Sequence, residues 1–494
     1  MKYLIKLFPE ITIKSKPVRK RFIQQLKSNL NVQLKRIDPE IKVSGNWDRL
    51  DVDGVVEQHQ EAAEQVLSCT PGIGSFLRVF PHDFETIDDI LQLALPHYTE
   101  VLKGKTFCLR VKRTGNHHAF SSIDVERQVG GGLNQLTEAV GVKLKKPDIT
   151  IKMEIVGQQC FMVQQQQPGL GGFPLGTQDA VLSLISGGFD SGVASYLVNR
   201  RGLQTHFCFF NLGGRAHEVG VKQVSHQLWE KYSSSHRVKF VSVPFEGVVA
   251  EILTRVENSQ MGVILKRMMY RAANKIADRL KLDCIVTGES VAQVSSQTLA
   301  NLNVIERVSE KLVLRPLVTM DKPEIIDISR QIGTHDMASQ MPEYCGVISK
   351  KPTTRARLPK IEAEEERFDF AVLDKAIEDA VVQSIDNVLK DIEEQPEVEV
   401  KQKALAGSVI VDIRHPDEIE TKSFASLVSE PGQGELLGVE LLEIPFFNIQ
   451  NKVTEFDPAK QYLFYCEKGV MSQLHALHLK EQGHENVHVF RPQS

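Results

Sequence analysis

The sequence predicts a multidomain protein that combines α/β and α+β folds, with a doubly wound parallel sheet in its central domain. Its 494 residues correspond to about three or four domains of ordinary size. From Ala180 onward, helical patterns alternate with nearly continuous apolar runs, which are typical of buried parallel strands. These runs cover residues 181–185, 205–210, 239–243 and 283–287. A smaller strand–helix pattern begins near Ala404, so the two α/β patterns belong to separate domains.

Composition and charge favour a cytoplasmic enzyme. Hydrophobic residues make up 41% and charged residues 25% of the chain, which is enough for sizeable cores. No apolar run reaches the roughly 18 residues that a membrane span needs, and Lys2 and Lys6 interrupt the N-terminal strand pattern, so we expect neither a membrane segment nor a signal peptide. The seven cysteines include no C-x-x-C pair, which argues against a disulfide framework and a zinc ribbon. We assign no side chain as a metal ligand.

The N-terminal region is basic, although the whole chain has a formal net charge of −4. Residues 11–37 contain no acidic side chain, and their apolar positions have helical spacing. The apolar positions are Phe22, Ile23, Leu26 and Leu30, and the basic residues are Lys14, Lys16, Arg19, Lys20, Arg21, Lys27, Lys35 and Arg36. This pattern predicts a helix with one face in a core and the other presented to a polyanion.

Strand patterns near residues 41–43 and 50–52 complete a small α+β module with this helix. A second α+β stretch extends to about Gln167, with strand patterns at 107–111 and 149–153. The Gly- and Pro-rich residues 168–176 predict a domain boundary after it.

The most informative segment is the Gly-rich turn S-G-G-F-D-S at residues 186–191. It follows the apolar run 181–185 and leads into a helical pattern. Adjacent glycines permit a turn whose backbone N–H groups bind an anion at the positive end of the helix. The turn lacks the Gly-Lys-Ser/Thr of a Walker A motif. It resembles the S-G-G-x-D-S loop of the PP-loop ATP pyrophosphatases, which cleave ATP to AMP and pyrophosphate and adenylate an oxygen that another group then displaces.

Two further segments are expected near this turn. Residues 287–290, Thr-Gly-Glu-Ser, follow another predicted strand, and ligands of open α/β sheets bind beyond the carboxyl ends of the strands. Asp321 and Glu324 have capping-box spacing and Pro323 suits a first helical turn. A helix therefore begins here and places Lys322 beside its N-terminus. In the PP-loop enzymes, which this K-x-E-I segment resembles, such a lysine contacts the phosphates or the reacting oxygen.

The C-terminal part predicts an acidic helical segment and then a small α/β module. Phe370, Leu373, Ile377 and Val381 lie on one face of the helical segment. In the module, a strand at 462–465 ends at Cys466, where backbone N–H groups and a helix dipole favour a thiolate or the anionic sulfur of a persulfide. With V-D-I-R-H-P-D-E at 411–418 and C-E-K-G-V-M-S at 466–472, the module resembles a rhodanese domain.

Taken together, the motifs resemble those of the bacterial tRNA 4-thiouridine synthases in their long form, over essentially all 494 residues. The resemblance implies a ferredoxin-like domain at 1–60, a THUMP RNA-binding domain at 61–167, a PP-loop ATP pyrophosphatase domain at 178–358, an acidic helical linker at 359–403 and a rhodanese domain at 404–494.

The same resemblance implies the chemistry and the partners. The activity would be ATP-dependent transfer of persulfide sulfur to a tRNA uridine at position 8, through adenylation of the uracil O4. Sulfur would also pass to the sulfur-carrier protein of thiamine thiazole synthesis. ATP and Mg²⁺ are the implied cofactors. The implied partners are tRNA, the sulfur-carrier protein, a cysteine desulfurase as sulfur donor and a thiol reductant. No association with a membrane is implied.

Site residues are implied position by position. The catalytic residues would be Asp190, Lys322, the persulfide cysteine Cys466 and its partner Cys345. The nucleotide site would include Leu184, Ile185, Ser186, Gly187, Gly188, Asp190, Ser191, Lys266, Gly288 and Gln297.

Two alternatives stay open at this point. One is a PP-loop amide ligase that uses ammonia on an adenylated acid, although no glutaminase signature is visible. The other is a nonenzymatic RNA-binding scaffold with a degenerate rhodanese fold. The complete S-G-G-F-D-S loop and the position of Cys466 argue against the scaffold.

Overall fold

A computed structural model gives the fold in two compact units. Its described residues are 1–46, 49–114, 119–212, 214–339, 341, 351–390, 398–405, 407–414, 419–420, 423–424, 439–445, 449–466, 472, 475–476, 479–480 and 483–492. The first unit is Met1–Asp179 with Asn199–Leu203 and Lys231–His236, and the second is Ala180–Val198, Gln204–Glu230 and Arg237–Ser494. Within these described stretches, no helix combines the length and apolar character needed to cross a membrane.

The first unit contains one eight-stranded sheet. Its strands are β1 (Lys2–Leu7), β2 (Lys42–Asn46), β3 (Arg49–Asp53), β4 (Ile73–Asp83), β5 (Thr106–Thr114), β6 (Gly141–Val142), β7 (Ile149–Val156) and β8 (Gln159–Pro168). The spatial order is β2-β3-β1-β4-β8-β7-β5-β6, and β4 pairs antiparallel with both β1 and β8. One sheet therefore runs through both N-terminal α+β stretches, and the long strand β4 joins them.

Helices cover this sheet and bury two apolar clusters against it. Those of the first unit are Pro9–Thr12, Lys16–Ile37, Gln60–Cys69, Ile87–Leu102 and Ser122–Leu136, with a 3₁₀ turn at Glu57–His59. The predicted basic helix is confirmed as Lys16–Ile37, and Phe22, Ile23, Leu26 and Leu30 are buried on its inner face. Lys20 and Arg21 are exposed. The spacing of the apolar residues thus determines which face of the helix is buried and which face exposes its basic residues to solvent.

The second unit contains the predicted parallel sheet. Its strands are β9 (Val181–Leu184), β10 (Thr205–Asn211), β11 (Lys239–Pro244), β12 (Cys284–Val286), β13 (Leu312–Leu314) and β14 (Val381–Ser384). The order is β13-β12-β9-β10-β11-β14, with parallel pairing throughout except for the antiparallel edge strand β14. The strand order reverses direction at β9, whose end carries the Gly-rich turn. Ligands of doubly wound sheets bind at such a switch point.

The helices of this sheet domain supply its largest core. They are Phe189–Arg200, Gly214–Tyr232, Glu246–Arg255, Met261–Leu280, Leu299–Glu306, Lys322–Ile332, His335–Ser339, Leu358–Glu365 and Phe370–Glu378, with 3₁₀ turns at Asn258–Gln260, Ser295–Gln297 and Ile385–Asn387. The helix Met261–Leu280 is buried along much of its length.

The segment predicted as an acidic helical linker differs from its prediction. Ile361, Leu373 and Ile377 belong to the core of the parallel-sheet domain, so this part is packed. The prediction of a helical position for Val381 is wrong, because the helix ends at Glu378 and Val381 begins β14. Edge pairing with Ser242 of β11 outweighs the helical spacing of the apolar residues there.

A third sheet, of five strands, forms the C-terminal part of the second unit. Its strands are β15 (Val400–Lys401), β16 (Val409–Asp412), β17 (Glu440–Glu443), β18 (Tyr462–Tyr465) and β19 (Val487–Phe490), in the order β15-β19-β18-β16-β17. All its pairs are parallel. Described helical residues here include Ile449–Lys452 and the 3₁₀ turn Val453–Glu455. The predicted α/β module is confirmed.

Candidate functional site

The Gly-rich turn has the geometry of an anion cradle. Gly187 has φ +80°, a left-handed conformation that glycine adopts without strain. The Ser186 N–H donates to Ser191 Oγ at 3.1 Å, and Ser191 Oγ donates to the Gly188 carbonyl at 3.2 Å, so the turn is closed on itself. The helix Phe189–Arg200 starts within it. Its first N–H groups have no intrahelical acceptor and can bind a phosphate.

Leu184 is the last residue of β9, and Ile185 connects this strand to the Gly-rich turn. Leu184 pairs with Cys208 of β10, and the Ile185 N–H donates to the Cys208 carbonyl at 2.9 Å. Ile185 is buried, whereas Leu184 is half-buried. Both predicted residues are therefore adjacent to the cradle, at the carboxyl end of β9.

The loop after β12 packs directly on the cradle, as the sequence predicts. A Cβ atom added at Gly288 would lie 2.7 Å from both Asp190 C and Ser191 N, far inside van der Waals contact. Only glycine permits this approach. The two loops are thus held together through backbone contact.

Asp190 and Lys322 form an ion pair across this edge of the sheet. Lys322 Nζ lies 2.8 Å from Asp190 Oδ1 and 2.9 Å from Oδ2. The side chains are 37% and 25% exposed, so both are open to a ligand. The helix Lys322–Ile332 begins where predicted, but the Asp321 side chain makes no capping hydrogen bond. The fixed φ of Pro323 in the first turn suffices to define the start.

Gln297 closes the loop that follows Gly288. Its Oε1 accepts from the Ser290 N–H at 3.3 Å, and its carbonyl accepts from the Ala292 N–H at 3.0 Å. The same loop carries Gln293, whose Nε2 donates to Asp190 Oδ2 at 2.7 Å. Sequence reasoning identified Gln297 but missed Gln293, for which no local pattern gives a signal.

Lys266 faces a buried carboxylate next to Gly288. Its Nζ lies 4.0 Å from Glu289 Oε1, while Arg315 Nε and Tyr270 Oη donate to Glu289 Oε2 at 3.0 and 2.8 Å. Burial alone would raise the pKa of Glu289, but the charges of Lys266 and Arg315, helped by these hydrogen bonds, outweigh it and hold the pKa below its ordinary value. Glu289 therefore stays ionised and holds Lys266 near the cradle.

His217 is a further residue that sequence reasoning missed. Its Nε2 lies 3.1 Å from the Ser186 carbonyl oxygen. Burial lowers the pKa of His217 to about 4, against smaller opposing effects of the Ser186 carbonyl and of Glu218. A neutral imidazole donates to this carbonyl and supports the first residue of the cradle at neutral pH.

Cys466 ends strand β18 in the five-stranded sheet. It is 8% exposed, and the Ser472 N–H points at its Sγ at a distance of 3.3 Å. Ser472 Oγ is a second partner at 3.5 Å. Residues 467–471 of the predicted loop lie outside the described residues. The described part thus supplies one backbone N–H donor to the sulfur of Cys466.

A buried ion pair supports the strands beside Cys466. Asp412 and Arg414 of the V-D-I-R motif lie 2.6 Å apart at Oδ2 and Nη2, with side chains 0% and 2% exposed. The Arg414 guanidinium lies over the Tyr465 ring, 5.4 Å from its centre. The motif thus has a structural role directly next to the cysteine.

Other described cysteines are buried thiols, as expected. Burial raises the pKa of Cys160 to about 12 and that of Cys284 to about 11. Such thiols are poor nucleophiles at neutral pH. Cys345, the predicted partner of Cys466, lies outside the described residues.

Comparison with known proteins gives the family. The tRNA sulfurtransferase of Shewanella amazonensis is 54% identical to this chain over 496 aligned residues, and the alignment covers 100% of both chains. The tRNA sulfurtransferase of Azotobacter vinelandii is 53% identical over 494 residues, again with 100% of both chains covered. This chain belongs to the tRNA sulfurtransferase family. Its predicted class, a sulfurtransferase enzyme, is confirmed.

Domain profiles of four kinds match along this member of the tRNA sulfurtransferase family. They are the ThiI ferredoxin-like domain at residues 2–76, the THUMP domain at 84–163, the thiamine biosynthesis protein (ThiI) at 176–370 and the rhodanese-like domain at 397–491. A crystal structure of a 4-thiouridine synthetase–RNA complex with bound ATP aligns with a TM-score of 0.69 and 24% identity, covering 78% of this chain and 99% of that one. The predicted fold class is confirmed.

Proposed function

We propose that this protein uses ATP to transfer persulfide sulfur to uridine 8 of tRNA, forming 4-thiouridine. One observation carries the proposal: the Asp190–Lys322 pair, 2.8 Å apart, lies at a closed Gly-rich phosphate cradle. Membership of the tRNA sulfurtransferase family supports the substrate and the transferred atom.

Adenylation is the first step of the proposed mechanism. The uracil O4 is a poor leaving group, so it attacks the α-phosphorus of ATP and pyrophosphate departs. Backbone N–H groups of residues 186–191 bind phosphate oxygens, and the Lys322 ammonium turns from Asp190 toward the developing negative charge. Lys266, held beside Glu289, adds a second positive charge at the same edge. These groups act on charge that grows as the P–O bond breaks.

Mg²⁺ belongs to the proposal, and the residues fit it. No group of three or more His, Cys, Asp or Glu side chains in the described part of the chain could hold a metal ion alone. Mg²⁺ is usually bound by one or two carboxylates together with substrate phosphates, and Asp190 supplies one accessible carboxylate. When bound with ATP, Mg²⁺ stabilises the charge of the departing pyrophosphate.

Sulfur then replaces AMP. A cysteine desulfurase loads a persulfide on Cys466, and the terminal sulfur attacks C4 and displaces AMP. The Cys345 thiolate next attacks Cys466 Sγ, which releases the 4-thiouracil and leaves a Cys345–Cys466 disulfide. In a variant of this route, Cys345 first releases hydrosulfide, which attacks C4. Both routes need an external thiol reductant to restore the two thiols.

We assign tRNA binding to residues 1–167. Exposed cations on the helix Lys16–Ile37 suit contacts with phosphates, and phosphate contacts dominate the affinity of proteins for nucleic acids.

Neutralising Lys20 and Arg21 together should weaken tRNA binding and flatten its salt dependence by about one unit of slope per lost phosphate contact. ATP binding without tRNA should not change. The matched control is the double replacement Lys360→Gln and Lys375→Gln, which removes two exposed helical cations from the second unit. Binding measured at several salt concentrations checks this, and an unaltered slope would contradict the assignment.

A second recipient of the sulfur is part of the proposal. The persulfide of Cys466 also serves the sulfur-carrier protein of thiamine thiazole synthesis, which the match of residues 176–370 to a thiamine biosynthesis protein supports.

The proposed site of action is the cytoplasm. A reducing cytoplasm suits a pair of cysteines that must return to thiols after each turnover.

Pyrophosphate release with and without tRNA tests the function. The proposal predicts release that depends on tRNA and does not require ammonia. An amide ligase would release pyrophosphate in response to an acid substrate and ammonia. A nonenzymatic scaffold would bind tRNA and release none.

A further inference from the structure

The carboxylate of Asp190 is held by a second donor besides Lys322. Gln293 Nε2 donates to Asp190 Oδ2 at 2.7 Å, and Gln293 is half-buried. Lys322 reaches the same carboxylate from a different element, the helix Lys322–Ile332. Two donors, one from a turn and one from the first residue of a helix, therefore fix the orientation of one carboxylate.

The turn that carries Gln293 is closed by its own hydrogen bonds. The Gln293 N–H donates to the Ser290 carbonyl at 3.3 Å, and Ser290 Oγ donates to the Met320 carbonyl at 3.0 Å. Ala292 has φ +64°, in the left-handed region that a residue other than glycine seldom adopts. Such backbone strain persists only where the surrounding structure imposes it, and it concentrates at functional sites.

We propose that Gln293 is a positioning residue for Asp190. In the proposed function, on which this inference rests, Lys322 leaves Asp190 to reach the phosphates of ATP. Lys322 has a flexible side chain that is 37% exposed, and its ammonium is drawn toward the negative charge of the nucleotide. The Gln293 amide is neutral and sits on the closed turn, so its bond keeps Asp190 in place during the reaction.

Replacement of Gln293 by methionine tests the role, because methionine has similar volume and no donor. Gln293→Met should lower kcat for tRNA-dependent pyrophosphate release about tenfold or more, the loss expected for a hydrogen bond to a charged group. The KM for ATP and the affinity for tRNA should change less than about threefold, since the carboxylate is disoriented while the cradle is intact. The matched control is Gln204→Met, which removes an amide donor to the Arg237 carbonyl in the same unit. The control should leave kcat unchanged.

A double-mutant cycle separates positioning from a structural effect. If Gln293 acts through Asp190, then Gln293→Met should cause no further loss of single-turnover rate in an Asp190→Ala background. Equal losses in both backgrounds would overturn the proposal, as would an unchanged kcat for Gln293→Met. Failure of the proposed function looks different, because the wild-type protein would then release no pyrophosphate in response to tRNA.

Discussion

Replacing Cys466 by alanine should abolish sulfur transfer to tRNA, because the mechanism has no other persulfide carrier. In the proposed mechanism, the Ser472 N–H, 3.3 Å from Sγ, is a donor for negative charge on this sulfur. Adenylation should continue, since the cradle at residues 186–191 is on a different sheet. Mass spectrometry of the protein after incubation with a desulfurase and cysteine should show the extra sulfur on the wild type and none on Cys466→Ala.

Cys345 should be needed for turnover but not for persulfide formation. Without reductant, the wild type should transfer at most one sulfur per chain and yield a disulfide-linked Cys345–Cys466 peptide pair. Cys345→Ala should accept the persulfide and then stall, unless free sulfide is supplied. Cys69→Ala is the control for loss of a thiol, because Cys69 is 8% exposed, as Cys466 is, and has no role in the proposed mechanism. Full catalysis by Cys345→Ala with the protein donor alone would contradict the partner role.

Loss of the Asp190 carboxylate should strongly reduce pyrophosphate release, which is the second of the two largest effects that we expect. Asp190→Ala should reduce tRNA-dependent pyrophosphate release by at least about 100-fold, because it removes the carboxylate that would hold Mg²⁺ and with it a stabilising charge at the departing pyrophosphate. The affinity for tRNA should be nearly unchanged, because the cations assigned to tRNA binding lie on the helix Lys16–Ile37. Steady-state pyrophosphate release and tRNA binding, measured on one preparation, check both statements.

A control for Asp190→Ala comes from the helix that carries Lys322. Asp327→Ala removes a carboxylate that also forms an ion pair, but its partner is Arg330 of the same helix, at 2.7 Å, and its side chain is 64% exposed. Its pyrophosphate release should equal that of the wild type. Retained activity in Asp190→Ala would remove the carboxylate from the adenylation step.

Local patterns predicted most of the fold because they encode burial directly. The inner face of the helix Lys16–Ile37 follows the helical period, and the apolar runs of the parallel sheet have the short length typical of buried strands. Val381 shows the limit of this reasoning, since its helical spacing is real but pairing with β11 decides its structure. Edge pairing between residues more than a hundred positions apart has no local signature.

Some candidate site residues could likewise be predicted from local sequence patterns, and others could not. The Gly-rich turn, Gly288 and Lys322 could be predicted because each has a backbone or charge requirement visible in a short motif. Gln293 and His217 could not, because each contacts its partner, Asp190 or Ser186, only when a segment distant in the sequence folds against the Gly-rich turn. Three-dimensional proximity, and not residue type, identifies them.

Nucleoside mass spectrometry of tRNA tests the central claim most directly. Unmodified tRNA would be incubated with the full chain, ATP, Mg²⁺, a cysteine desulfurase, a reductant and cysteine labelled with heavy sulfur. We expect 4-thiouridine that carries the label, with one AMP formed for each modified uridine. Formation of AMP and pyrophosphate without sulfur in the tRNA, or labelled 4-thiouridine formed without ATP, would contradict the account.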